Sequence, residues 1–116
     1  MTLQDIMKNI DLEVKSGEDR LGTEVRRGYV SDLMSDVIAN TAKGDLWITL
    51  QVHINIVAVA SMKELSGIIL INGRQPEKAT LEKARVENIP LFVSTLPAFE
   101  VVGRLYQLGI FGTGDA

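Results

Sequence analysis

Apolar residues recur at Leu3, Ile6, Met7 and Ile10, the spacing of one helical face, with Thr2 placed to cap the helix and Asp5 to complete a capping box. Residues 12–30 alternate only weakly, around Val14, Leu21, Val25 and Val30. Gly17, Gly22 and Gly28 break that stretch, which predicts short strands and turns. From Ser31 the pattern sharpens. Ser31 is placed as an N-cap, Asp32 falls in the first turn, and Leu33, Met34, Val37 and Ile38, extending to Ala42, form one stripe that ends at Gly44. The run DLWITLQV then predicts a strand over Leu46 to Val52.

The chain's single histidine, His53, stands between that strand and the apolar run IVAVASMKEL. A strand continuing from Leu46 to Met62 would be about three times the usual length. Asn55 is placed as an N-cap for a helix from Ile56 to Leu65, although the β-branched residues of IVAVA also suit a strand. The next run, GIILI, favours the helix, because an unbroken apolar strand implies burial on both faces. That is the situation in a parallel sheet, whose neighbouring strands need a crossover. The pattern then repeats, with NGR ending the strand and Pro76 opening a helix over 76–88 that turns Leu81, Ala84 and Ile89 inward. PLFV makes the following strand, and Pro97 opens a last helix with Phe99, Val102, Leu105, Tyr106 and Leu108 as its apolar side. The fold this predicts is a three-layer α/β domain, a mostly parallel sheet with helices on both faces. FGTGDA, residues 111–116, is expected to form a flexible tail.

Composition narrows the functional classes. With 116 residues, 46% apolar and 23% charged, the chain is expected to form one domain over 1–116 with its own core. A formal charge of -3 removes the electrostatic attraction behind non-specific binding to nucleic acid or anionic membrane, so neither is expected as a partner. There are no cysteines, which excludes disulfides, thiolate metal sites and a thiol nucleophile and suits a reducing compartment. The N-terminus lacks a basic segment followed by an apolar run, and no apolar run approaches the roughly 20 residues that cross a bilayer. The chain therefore reads as complete and cytoplasmic.

In parallel sheets, ligands bind outside the carboxyl ends of the strands. The chain's polar residues gather at those joints: Ser31 and Asp32, with Tyr29, after one strand; Gln51, His53 and Asn55 after the next; Asn72, Gly73 and Arg74 after the third; Ser94 and Thr95 after the last. One rim could hold a small anionic ligand, with Arg74 as the charged donor. The same residues are also the ordinary caps and turn formers of such joints, and His53 could simply hydrogen-bond a neighbouring loop. Asp32 and Asp36 have the i,i+4 spacing of a metal pair, which exposed helical charges share, and one histidine adds little to a metal site. No phosphate-binding G-x-x-x-x-G-K-[ST], dinucleotide G-x-G-x-x-G, H-E-x-x-H or G-x-S-x-G is present. The GTG at Gly112 to Gly114 has no helix after it, and Ser61 near Lys63 lies on an apolar helix. No catalytic triad can be assembled, no metal or cofactor is expected, and the only enzymatic reading left uses His53 as a general base.

The ordered run SDLMSDV, GDLWITLQ, NIVAVA and INGR, within about Glu13 to Ile110, resembles a DRTGG domain. Such domains are similar to modules in CBS-containing inorganic pyrophosphatases and beside some phosphotransacetylases, and resemble in fold the N-terminal domain of HPr kinase/phosphorylase. The resemblance implies a regulatory or assembly module, often a homodimer, that is not a catalyst. It is compatible with a nucleotide or small phosphate ligand and a partner enzyme. The literal D-R-T-G-G string is absent, the nearest residues being Asp19, Arg20, Leu21, Gly22 and Thr23, so the resemblance assigns no ligand residue. The alternative is a pure interaction subunit with no small ligand, which buries its apolar helix after Asn55 against another chain.

Overall fold

A computed structural model describes residues 1–114. The elements are α1 (Leu3–Met7), β1 (Glu13–Ser16), a 3-10 turn (Glu18–Arg20), β2 (Gly28–Val30), α2 (Met34–Asn40), β3 (Leu46–Thr49), α3 (Asn55–Lys63), β4 (Gly67–Leu70), α4 (Lys78–Glu87), β5 (Leu91–Val93) and α5 (Ala98–Gln107). The five strands lie in the order β1-β5-β4-β3-β2. β2 to β5 are parallel, and β1 joins β5 antiparallel through an irregular register between Val14 and Ser16 that breaks up an exposed edge.

The three crossovers between β2 and β5 all step across the sheet in one direction. A constant crossover hand then puts α2, α3 and α4 on one face, where Val37, Ile56, Val57 and Ala84 pack in one cluster on Trp47, Ile68 and Leu91. After β5 the chain passes to the other face. There Val101 and Leu105 of α5 join Leu3 and Ile6 of α1 over Ile48, Ile69 and Phe92. Alternate residues of β3 and β4 therefore enter different cores, which is why GIIL is buried at every position. The predicted three-layer architecture is the one observed, and IVAVA is helical. α3 is packed on the sheet, so the expectation that it could serve as a surface for another chain is not met.

Several boundaries differ from those predicted. β3 ends at Thr49, not Val52, because side chains take the next backbone donors: Leu50 N–H goes to Asp32 Oδ1 at 2.8 Å and Gln51 N–H to Thr49 Oγ1 at 3.1 Å. Ser31 does not cap α2. Leu33 is the N-cap, and Ser31 Oγ accepts the Leu33 N–H at 3.2 Å in a turn before the helix. Asn55 is the first residue of α3 and not its cap, and its N–H is taken by His53 Nδ1 at 3.3 Å. Thr2 does cap α1, in the expected capping box with Asp5.

The end of the chain is partly ordered against the sheet. Gly28 N–H donates to the Phe111 carbonyl at 2.9 Å, and Gly112 bridges Gly28 in parallel. Residues 115 and 116 lie outside the described residues.

Candidate functional site

The carboxyl rim is assembled from the loops after β2, β3, β4 and β5, and its polar residues separate into two groups. The first is engaged within the protein. Asp32 Oδ1 accepts from Thr49 Oγ1 and Leu50 N–H, each at 2.8 Å, and Gln51 Nε2 donates to the Asp32 carbonyl at 3.1 Å. The Ser31 carbonyl accepts from Trp47 Nε1 at 2.8 Å, which pins the β2–α2 loop to the core. Ser94 is buried, with its hydroxyl accepting the Leu96 N–H at 3.1 Å. Of the sequence-predicted residues, the structure brings Ser31, Asp32 and Gln51 together over the ends of β2 and β3. It uses them to shape loops.

The second group faces solvent. His53, Arg74 and Thr95 are exposed on the loops after β3, β4 and β5, and Asn55 is exposed at the first position of α3. Arg74 is presented by a tight turn in which Asn72 and Gly73 both have positive φ, 56° and 67°, and Arg74 N–H closes the turn on the Ile71 carbonyl at 3.1 Å. Asn-Gly is the pair that adopts this mirror-image turn without steric cost. Backbone bonds from Asn72 to Leu96 (2.9 Å) and from Gly73 to Ser94 (2.8 Å) knit the loops after β4 and β5 together. The rim there is a closed floor with Arg74 standing on it.

His53 uses Nδ1 to accept a backbone proton, and among the described residues no serine, threonine or carboxylate hydrogen-bonds its ring. The nucleophile-to-base contact that activates a hydroxyl is thus missing. Asp32 and Asp36 do not converge. Asp32 turns to Thr49, whereas Asp36 Oδ2 accepts from the Tyr29 hydroxyl at 2.7 Å and Oδ1 from Asn40 at 2.8 Å. Among the described residues no group of three or more histidines and carboxylates is placed to hold a metal ion. At the opposite rim, Asp45 is buried, with Oδ2 accepting the Ala42 N–H at 2.8 Å and Arg27 Nε 3.7 Å from its other oxygen, an arrangement that orders the turn before β3.

The hydrogen bond from Tyr29 holds the Asp36 carboxyl below its usual 3.8, and the Thr2 backbone N–H does the same for Asp5. A lowered folded-state pKa stabilises the protein at pH above the unfolded value, and that contribution disappears as pH falls through the lowered value. Thermal melts across acid pH should therefore show part of the stability lost below 3.8. An Asp5→Asn, Asp36→Asn double variant should lose less on the same titration; an equally steep decline would contradict this assignment.

The feature that sequence reasoning missed is apolar. α5 carries two apolar stripes, and the sheet takes Val101 and Leu105, which leaves Phe99 86% exposed and Tyr106 55% exposed. The prediction that Phe99 and Tyr106 face the core is corrected accordingly. Tyr106 stacks obliquely on Phe111, with ring centroids 4.9 Å apart, and both border a cleft of about 260 Å³ floored by Val30, Ile48, Val102 and Ile110. The signal was present in the sequence, since Phe99, Val102 and Tyr106 recur at helical spacing beside the stripe that is buried.

The fold, an α/β domain with a mostly parallel sheet, is shared with a known structure. No family model matches the chain, and no curated protein matches it. Among solved structures, the chain is similar to the CBS and DRTGG domains of the regulatory region of Clostridium perfringens pyrophosphatase, determined in complex with an activator, diadenosine tetraphosphate. The TM-score is 0.73 at 20% identity, over 91% of this chain and 46% of that one. The expected likeness to a DRTGG-containing region is thus found at the level of the fold, and the chain spans under half the length of the structure it matches.

Proposed function

We propose that this chain is a noncatalytic, cytoplasmic regulatory module that self-associates, binds a small anionic or nucleotide-like ligand at the carboxyl rim, and conveys its state to a partner enzyme. The observation that carries this reading is the disposition of its side chains. Ser31, Asp32, Gln51 and Ser94 are hydrogen-bonded within the protein, Arg74 and its exposed neighbours face solvent without the base-to-nucleophile contact that chemistry needs, and large apolar side chains of α5 stay exposed. The likeness in fold to a pyrophosphatase regulatory region that binds diadenosine tetraphosphate supports the same reading.

Arg74 is the charged donor of the ligand site, with His53 and Thr95 on the adjoining loops and Asn55 at the start of α3 as exposed polar neighbours. Ser31, Asp32, Gln51 and Ser94 hold those loops in place. A ligand that binds only the folded state raises the melting temperature with its concentration. Thermal-shift titration with AMP, ATP, diadenosine tetraphosphate and inorganic phosphate should give such a rise for at least one of them, and Arg74→Ala should abolish it without changing the unliganded melting temperature. No shift with any of the four would remove the ligand and leave a pure assembly subunit.

A further inference from the structure

We propose that the outward face of α5 joins two copies of this chain, packed antiparallel about a two-fold axis beside Gly103. The proposal rests on the self-association stated above and assigns it a surface. Phe99, Val102 and Tyr106 of α5 are continuous with Val30 at the sheet edge and Phe111 at the end of the chain. A large aromatic side chain carries about 150–250 Å², so this face amounts to roughly 400–500 Å², the size of the largest apolar patch on a typical monomer, which is often functional. Two such faces together bury about 800–1,000 Å², the size of a weak, reversible interface.

Gly103 lies at the centre of this face. Glycine within a helix is unfavourable relative to alanine, and nothing lies within 4 Å of where its Cβ would be, so no contact inside the protomer accounts for it. Close approach of a second helix does. The neighbouring cleft of about 260 Å³ is apolar and suits a protruding side chain such as the partner's Phe99.

Charge selects both the occupant and its direction. Glu100, Arg104 and Gln107 flank Gly103 on the side away from the aromatic pair. A two-fold axis perpendicular to both helices keeps the aromatic sides together and the charged sides together. With a rise of about 1.5 Å per residue, Phe99 lies ~6 Å before Gly103 and Tyr106 ~4.5 Å after it, so each Phe99 meets the partner's Tyr106. By the same geometry, Glu100 falls between the partner's Arg104 and the partner's Gln107. A parallel pair would set the two Glu100 carboxylates against each other, and like charges across an interface disfavour it. A second copy therefore supplies what the face lacks, an apolar surface of equal extent with opposite charges in register.

Sedimentation equilibrium of the full chain over a concentration series tests this. The unaltered protein should follow a monomer–dimer equilibrium, and Gly103→Arg should weaken it by about tenfold or more while the melting temperature of the monomer does not fall. Glu100→Arg and Arg104→Glu should each be monomeric alone and associate when mixed in equal amounts. If the unaltered protein dimerises and none of these changes affects it, the dimer uses another surface; the present proposal then fails and the self-association stands. If the unaltered protein is a monomer at every concentration, both fail, and the face belongs to a different polypeptide.

Discussion

Trp47→Ala is expected to destabilise the fold by about 3–5 kcal/mol, the range for emptying a large aromatic from a core. Trp47 is completely buried in β3, between β4 and the edge strand β2 and beneath α2 and α3, and its indole N–H donates to the Ser31 carbonyl at 2.8 Å. The substitution thus opens a cavity and also leaves a loop carbonyl without its partner. At about 3–6 °C per kcal/mol for a domain of this size, the melting temperature should fall by roughly 9–30 °C. Trp47→Phe keeps most of the volume but loses the hydrogen bond, and its loss should be nearer 1–2 kcal/mol. Denaturant melts measure both, and a Trp47→Ala loss below about 1 kcal/mol would contradict the packing described here.

Gly17→Ala is expected to be nearly as damaging for a different reason. Gly17 has φ of 79°, in the left-handed region, and a Cβ there would lie 2.6 Å from the Pro90 Cα. Pro90 cannot retreat easily, because its carbonyl accepts the Ile68 N–H at 2.9 Å where β4 and β5 begin to pair. Conformational strain of about 1 kcal/mol adds to the displacement of a sheet terminus, for a total of roughly 3 kcal/mol. Gly22→Ala is the control. Gly22 has no close neighbour and no positive φ, so its substitution should change stability by no more than about 0.5 kcal/mol. Equal effects at the two positions would show that Gly17 is not held against Pro90.

The fold was legible where one physical constraint dominated. GIILI implied burial on both faces, hence a parallel sheet, hence a helical crossover for IVAVA, and each inference matches the structure. Where two residues competed for one role, sequence chose the better intrinsic cap and tertiary context chose another. Ser31 and Asn55 are good caps, yet the indole of Trp47 and the ring of His53 fix the local backbone so that Leu33 and Ile54 precede the helices. The candidate rim was legible as a location but not as a set of contacts. That Asp32 would turn to Thr49, instead of to Asp36 or a ligand, depends on how β2 and β3 align, which spacing along the chain does not encode. The exposed face of α5 was hidden because the helix has apolar residues on two sides and only the sheet decides which side it covers.

The proposed regulatory role requires that copies of this chain associate. Sedimentation equilibrium of the unaltered protein tests the association most directly: the weight-average mass should rise with concentration from the protomer's 12.7 kDa toward twice that value. A mass that stays at 12.7 kDa across the whole series would contradict it.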